Sequence, residues 1–194
     1  VNLFKLLTEL TDRSVSLIDC DVEEPNDMLY FKNAIIKNEE NVFRLLPVIN
    51  KDKCTFCKKC SEYCEYNAIT IVPSLEFIQI ATDLCHSCGA CSYACDFESI
   101  TEIKDKIGKI TEFTTNNKQT VIEGRLKVGL PFQTPVIEEL KEKTKYKADI
   151  LLYDAPPGTS CSVVNTLLDV DYVILVAEPS SFGLHDFKLI HDLV

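Results

Sequence analysis

The chain has 194 residues with 20 basic and 30 acidic side chains, which gives a formal net charge of −10. Hydrophobic residues make up 46% of the sequence, a composition typical of a globular protein with a substantial core. The negative charge argues against a nucleic-acid partner, and no apolar run reaches the roughly 20 residues that a membrane span requires. Disulfide frameworks are typical of short secreted chains with little core, and the first residues resemble no signal peptide, so we expect a cytoplasmic protein with reduced cysteines.

The first predicted elements are a helix and a buried strand. The opening stretch VNLFKLLTEL is amphipathic, which favours a helix, and SVSLID is a near-continuous apolar run that ends at Asp19. Such a run predicts a parallel strand that is buried on both faces. Because Asp21 follows directly, this strand brings acidic side chains to its carboxyl end.

Eight of the ten cysteines form two copies of the pattern C-x2-C-x2-C-x3-C, which begin at Cys54 and Cys85, 85 − 54 = 31 residues apart. Zinc sites usually pair two distant C-x2-C units, whereas three thiolates at steps of three on one loop suit the corners of a cubane. The fourth cysteine of such a run characteristically ligates the other cluster. We therefore predict two [4Fe–4S] clusters, the first bound by Cys54, Cys57, Cys60 and Cys95 and the second by Cys85, Cys88, Cys91 and Cys64.

The similarity between the two copies extends beyond the cysteines, since EYNAIT after Cys64 matches DFESIT after Cys95. Each half therefore predicts a loop, a short helix and a strand. Residues 51–104 resemble the bacterial two-cluster ferredoxins, although Glu65 and Asp96 stand where that family usually has proline. The resemblance implies an α+β ferredoxin-like module.

Strands and helices alternate again after the repeat. ADILLYD ends at Asp154 and DYVILVAE ends at Glu178, and both predict buried parallel strands. TPVIEELKEK and GLHDFKLIHDLV have the periodicity of helices. These elements predict an open doubly wound sheet whose ligands bind at the carboxyl ends of the strands. Gly108 and Lys109 are predicted to lie in a loop after the repeat.

The order of these elements predicts one domain interrupted by another. The first strand precedes the cysteines and the remaining strands follow them. We therefore predict an α/β domain formed by residues 1–49 and 106–194, with a ferredoxin-like insert at residues 50–105. The ends of such an insert should lie close together, so that the insert leaves the core of the sheet intact.

The stretches LIDCDVEEPN, LLYDAPPGTSC and ILVAEPSSFGLHD, together with the cysteine repeat, resemble the MinD/ParA superfamily of P-loop ATPases, in particular members with an inserted ferredoxin domain. The resemblance implies a mostly parallel P-loop NTPase-type sheet that binds ATP and Mg²⁺. By this match Asp154 organises Mg²⁺ through water, while Asp21 positions the attacking water with support from Asp19. The same match implies that the Gly158 N–H senses the γ-phosphate. For any one strand-end aspartate, a helix N-cap is the ordinary alternative.

The Walker A pattern G-x-x-x-x-G-K-[ST] is absent from the sequence. VNLFKLLTEL looks like the continuation of the helix that this loop opens in the superfamily. We therefore expect the chain to begin just downstream of the loop, to stop before the last strands of the family, and to lack ATPase activity by itself. For the intact protein the resemblance implies a homodimer that closes on ATP.

Three functions are compatible with these features. The leading hypothesis is an iron–sulfur protein that couples nucleotide state to electron transfer or cluster handling. The alternatives are a simple two-cluster electron carrier with an α/β docking scaffold, and an assembly factor that passes clusters to apo-proteins. The expected partner is accordingly a redox protein or an apo-protein acceptor. Cys20 and Cys161 lie outside the repeat. Packing as small apolar side chains is their ordinary role, and the alternative is a labile metal or redox role beside the nucleotide.

Overall fold

The computed structural model describes all residues from 1 to 194 and has a mixed α/β fold. The elements, in chain order, are α1 (Asn2–Leu10), β1 (Val15–Asp19), β2 (Ile35–Ile49), α2 (Lys59–Glu62), β3 (Ile69–Val72), β4 (Phe77–Ile80), α3 (Ala90–Tyr93), β5 (Ile100–Thr114), β6 (Thr120–Leu126), α4 (Gln133–Thr144), β7 (Ile150–Asp154), α5 (Cys161–Leu167) and α6 (Ser181–His191). None of the helices is both long and apolar enough to cross a membrane.

The chain forms two compact units. We call Val1–Val42 with Ile107–Val194 the flanking unit, and Phe43–Lys106 the cysteine unit. The division falls within β2 and within β5. The assignment of an ATPase-like role to the first unit and a ferredoxin-like role to the second stays a prediction.

The five-stranded sheet has the order β2-β5-β6-β1-β7. The central strand β1 is parallel to both β6 and β7, but β5 is antiparallel to β6. The prediction of a mostly parallel sheet is therefore corrected to a mixed sheet. The sequence predicted the beginning of β5 as the strand of the second half, but it did not reveal β2 or the long extension of β5, because these charged stretches lack the continuous apolar run that marks a strand buried on both faces.

Both faces of β1 are covered, as the apolar run SVSLID predicts, and all five residues of the strand are buried. Successive side chains of a strand point to opposite faces. On one face Ile18 packs with Val136 and Leu140 of α4. On the other face Leu17 packs with Phe4 of α1 and with Phe31, and these two rings meet edge to face at 5.8 Å. The predicted helices at α1, α4 and α6 and the predicted strands at β1 and β7 are all present.

Two local predictions are wrong. Residues 171–178 (DYVILVAE) form no strand, and the side chains of Tyr172 and Val176 are 92% and 91% exposed. A strand needs a neighbour for its backbone N–H and C=O groups, and this apolar segment has no strand partner in the sheet, where β7 pairs with β1. Gly108 and Lys109 lie within β5 and not in a loop. A Cβ on Gly108 would stand 2.7 Å from the Arg125 carbonyl oxygen, so glycine here permits a close approach of two strands.

Candidate metal centre

The two halves of the cysteine unit repeat each other in backbone structure as well as in sequence. A short 3-10 helix precedes each first cysteine, at Lys51–Lys53 and Thr82–Leu84. One turn of helix carries each third cysteine, namely Cys60 in α2 and Cys91 in α3. Each pair of elements is separated by the same 31 residues that separate the cysteines. The loop–helix–strand order predicted for each half is confirmed.

Left-handed backbone conformations also recur at this interval. They occur in pairs at Phe56 and Ser87, at Lys58 and Gly89, and at Asn67 and Glu98. Only one of these six residues is glycine, although a side chain in this region usually costs about 1–2 kcal/mol. Such strain is tolerated where it coils a loop around a ligand, and here it occurs before and after the helical turn that carries each third cysteine.

Each half is hydrogen-bonded to the other at equivalent positions. The Asn50 N–H, just before the first cysteine loop, donates to the Ser99 carbonyl oxygen at 2.7 Å. The Ala81 N–H, just before the second loop, donates to the Ala68 carbonyl oxygen at 2.7 Å. Residues 68 and 99 each follow a fourth cysteine by four positions. The fold therefore brings the end of each half next to the beginning of the other half.

One pocket of the cysteine unit is lined by cysteines from both halves. It encloses about 370 Å³, including space open to solvent, and its wall contains the four cysteines Cys64, Cys85, Cys88 and Cys91. Cys64 comes from the first half and also packs in a small core with the buried Cys85. The rings of Tyr66 and His86 stack at 3.7 Å on the wall of the same pocket. The four side chains that the sequence assigned to the second cluster thus surround one space.

The side chains assigned to the first cluster lie in a neighbouring region of the same unit. Cys54 and Cys95 pack against a core that contains Cys60 and Ile100, and Cys57 is exposed. Burial raises the pKa of the Cys60 thiol to about 11, and the nearby sulfurs of Cys54, Cys91 and Cys57 also raise it. A thiol in this environment ionises readily only when a cation binds to it.

The sulfur of each fourth cysteine accepts equivalent hydrogen bonds. The Ala68 N–H donates to Cys64 Sγ at 3.3 Å, and the Ser99 N–H donates to Cys95 Sγ at 3.4 Å. The Ser99 hydroxyl also lies 3.1 Å from Cys95 Sγ. Although burial alone would raise it, the pKa of Cys95 is lowered by these bonds from Ser99. Donors of this kind suit thiolates that bind iron, so the residues present fit iron–sulfur clusters.

The strain at Lys58 leads to a first prediction. Its partner in the repeat is Gly89, and both residues adopt the left-handed conformation. We expect Lys58→Gly to stabilise the cysteine unit by about 1 kcal/mol, and Gly89→Ala to destabilise it by a similar amount, because only glycine adopts this conformation without a Cβ clash. Denaturation of the iron-loaded protein under anaerobic conditions, followed by cluster absorbance, measures both changes. Equal effects of the same sign would contradict the strain argument.

The acidic side chains predicted at the sheet edge are also placed together, within the flanking unit. Asp19 and Asp154 are paired in register at the carboxyl ends of β1 and β7. Asp19 Oδ1 accepts the Asp21 N–H at 3.1 Å, which fixes the loop that follows β1. Gly158 lies beyond β7 with φ at +91°, and its surroundings are open. Nowhere in the chain do three or more His, Cys, Asp or Glu side chains converge as the ligands of a single metal ion do.

Asp27 is a further member of this acidic group that sequence reasoning missed. It is 2% exposed, its Oδ2 atom has no hydrogen-bond partner, and its backbone N–H donates to Asp19 Oδ2 at 3.0 Å. Burial, followed by the charges of Asp154 and Asp19, raises the pKa of Asp27 to about 7. Burial likewise raises the pKa of Asp19 to about 6. The only sequence signal for Asp27 was an acid closely following the pair Asp19 and Asp21.

These raised values give a second prediction. An aspartate has an ordinary pKa of 3.8, so between pH 4 and pH 7 the folded chain binds more protons than the unfolded chain. The free energy of unfolding of the flanking unit should therefore fall as the pH rises through this window. Asp27→Asn should make the free energy of unfolding decrease less with pH. It should also stabilise the protein at pH 8 by about 1 kcal/mol, after allowance for solvent screening.

Urea denaturation at several pH values, followed by circular dichroism, measures this effect. Asp12→Asn is the matched control, because Asp12 is exposed and precedes β1, whereas the acidic group lies at the carboxyl end of that strand. A flat pH profile for the unmodified protein would contradict the assignment of raised pKa values.

The two cysteines outside the repeat occupy different environments. Cys20 is completely buried in the core beneath α4, and burial raises the pKa of its thiol to about 12. It therefore acts as a small apolar side chain. Cys161 is exposed at the start of α5.

Comparison with known protein families identifies a 4Fe-4S dicluster domain at residues 46–96. These residues include all eight cysteines of the repeat. The match therefore supports the prediction of an iron–sulfur, ferredoxin-like region. No family match supports the resemblance to the MinD/ParA ATPases, which remains a hypothesis.

Two proteins of Methanocaldococcus jannaschii are similar to almost the whole chain. The first, named "Uncharacterized protein MJ0578", is 38% identical over 182 residues, which cover 93% of this chain and 63% of that protein. The second, named "Uncharacterized protein MJ0579", is 33% identical over 197 residues, which cover all of this chain and 68% of that protein. The chain thus spans about two thirds of the length of either relative. It belongs to the same family as these two proteins, and it carries within it a 4Fe-4S dicluster domain.

Proposed function

We propose that the protein is an electron carrier whose cysteine unit binds two [4Fe–4S] clusters. The observation that carries this proposal is the single pocket in which Cys64 meets the three cysteines of the second loop. A bound cluster of this type supplies one-electron oxidation and reduction. The chain's own residues provide the thiolates, the hydrogen bonds to sulfur and the apolar surroundings.

The same surroundings favour a resident cluster over one that is delivered to an apo-protein. Each proposed site takes all four thiolates from one chain, and Cys60, Cys85 and Cys91 are each less than 10% exposed. A second protein would have to displace buried ligands before it could take the iron. Ligand exchange is therefore slow, whereas an electron can pass through the surface at the exposed Cys57 and Cys88.

Metal and sulfide analysis tests this function. Anaerobically purified protein should contain about eight iron atoms and eight sulfide ions per chain, as two cubanes require. Cys64→Ser should reduce the cluster content, whereas Cys161→Ser should not, because Cys161 lies outside the repeat. Stoichiometric zinc without acid-labile sulfide would overturn the proposal. Rapid transfer of iron to an apo-acceptor would favour the assembly-factor alternative.

A second candidate function extends the first. We propose that a nucleotide is coupled to the clusters in a protein that contains this chain together with a phosphate-binding loop, and the acidic residues Asp19, Asp21 and Asp154 support this proposal by their position at the sheet edge. In an open α/β sheet, the carboxyl ends of parallel strands are where ligands bind. Mg²⁺ held partly through water is compatible with carboxylates that do not enclose an ion by themselves.

Calorimetric titration with Mg–ATP tests the nucleotide proposal. The present chain lacks a Walker A pattern and should bind weakly, whereas a longer chain that carries such a loop should bind well. In that longer chain Asp154→Ala should weaken the Mg²⁺ dependence, and Asp21→Ala should preserve binding but stop hydrolysis. Tight binding by the present chain, or no binding by the longer one, would show that the phosphate site is misplaced.

A further inference from the structure

The two cysteine loops are nearly equivalent in backbone but opposite in charge. Residues 51–59 contain Lys51, Lys53, Lys58, Lys59 and one acid, Asp52. The equivalent residues 82–90 contain one acid, Asp83, and no lysine or arginine. We call residues 51–59 the basic loop. It stands out in a chain whose formal net charge is −10.

The lysines of the basic loop lie at the surface around an exposed ligand position. All four are exposed, and so is Cys57 between them. Lys59 forms an ion pair with Asp96. The other three form no salt bridge, so their charges are available to a molecule that approaches the loop. Charges that surround an exposed redox site steer partners of the opposite sign toward it.

A second difference between the halves concerns Cys95, which is assigned to the same cluster as Cys57. Ser99 places its hydroxyl 3.1 Å from Cys95 Sγ, in addition to its backbone N–H bond. At the equivalent position the first half has Ala68, which gives Cys64 Sγ only the N–H bond. A hydroxyl that donates to a cluster thiolate stabilises the reduced, more negative form and raises the reduction potential. The lysines and the hydroxyl therefore both favour the reduced state of a cluster bound by Cys54, Cys57, Cys60 and Cys95.

Arg44 is a cation beside the second cysteine loop. Its Nη1 donates to the Cys85 carbonyl oxygen at 3.2 Å, and its Nε donates to Asp105 at 2.9 Å. The Asp105 carboxylate compensates this charge. Arg44 is also buried, so it orients the second loop and does not present charge to a partner.

We propose that the basic loop docks an acidic redox protein beside Cys54 and Cys57, so that the first cluster site is where electrons leave or enter. This proposal rests on the electron-transfer function proposed above. In each transfer one electron passes between the group held by these cysteines and a one-electron acceptor in the partner. No covalent bond or proton is exchanged.

Charge reversal tests the docking surface. The double variant Lys51→Glu, Lys53→Glu changes the charge by −4, and Lys32→Glu, Lys127→Glu is the matched control with exposed lysines of the flanking unit. Lys58 is left unchanged because of its left-handed backbone. The reduced protein is oxidised with an anionic hexacyanide complex and, separately, with a cationic hexaammine complex, in stopped-flow experiments at low and high salt.

We expect the loop variant to react roughly three- to tenfold more slowly with the anionic complex and faster with the cationic one, with both changes lost at high salt. The control should change the two rates much less. Equal changes in the two variants would overturn the proposal, since only net charge would then matter. Absence of iron and sulfide would instead be a failure of the proposed function, so the two outcomes are distinguishable.

The serine and alanine pair provides an independent test on the same protein. Ser99→Ala should shift one of the two midpoint potentials to a more negative value, by an amount that changes the electron-sharing equilibrium roughly three- to tenfold, where tenfold is about 59 mV for one electron. Ala68→Ser should shift the other potential to a less negative value. Spectroelectrochemical titration measures both. If Ser99→Ala leaves both potentials unchanged, or shifts both equally, the hydroxyl does not distinguish the clusters and this part of the proposal fails.

Discussion

The cysteine unit depends on a reciprocal pair of backbone hydrogen bonds, from Asn50 to Ser99 and from Ala81 to Ala68. These bonds place the end of each half against the beginning of the other half. In this arrangement Cys64 shares a pocket with the three cysteines of the second loop. The bonded positions also fix residues 68 and 99, whose N–H groups donate to the sulfur atoms of the fourth cysteines.

Without bound iron, the cysteine unit has several unfavourable features in its two cysteine loops. Five non-glycine residues of the two loops are left-handed, and the thiols of Cys60 and Cys91 have raised pKa values because they are buried. The left-handed conformations cost free energy unless contacts of the ordered loops compensate them, and the buried thiols ionise only when a positively charged group binds to the sulfur atoms. Folding of this unit and binding of iron are therefore coupled in our interpretation, and the small apolar core around Ile69, Ile78 and Ile100 is insufficient by itself.

Local sequence patterns predicted the elements that depend only on local information. The cysteine spacing, the helices α1, α4 and α6 and the buried strands β1 and β7 all follow from periodicity or from an apolar run. The patterns failed where the outcome depends on a distant partner. The antiparallel β5 is stabilised by its pairing with β6, and residues 171–178 have strand composition but no neighbouring strand. Asp27 was missed for the same reason, since its proximity to Asp19 and Asp154 arises only in the folded chain.

Anomalous diffraction from the iron atoms in crystals of the loaded protein shows whether the two halves exchange their fourth cysteines. We expect two separate cubanes, with Cys95 Sγ bound to the cubane of the first loop and Cys64 Sγ bound to that of the second. A map in which each cubane takes all four cysteines from its own half would rule out the exchange, and so would a map with single metal ions in place of clusters.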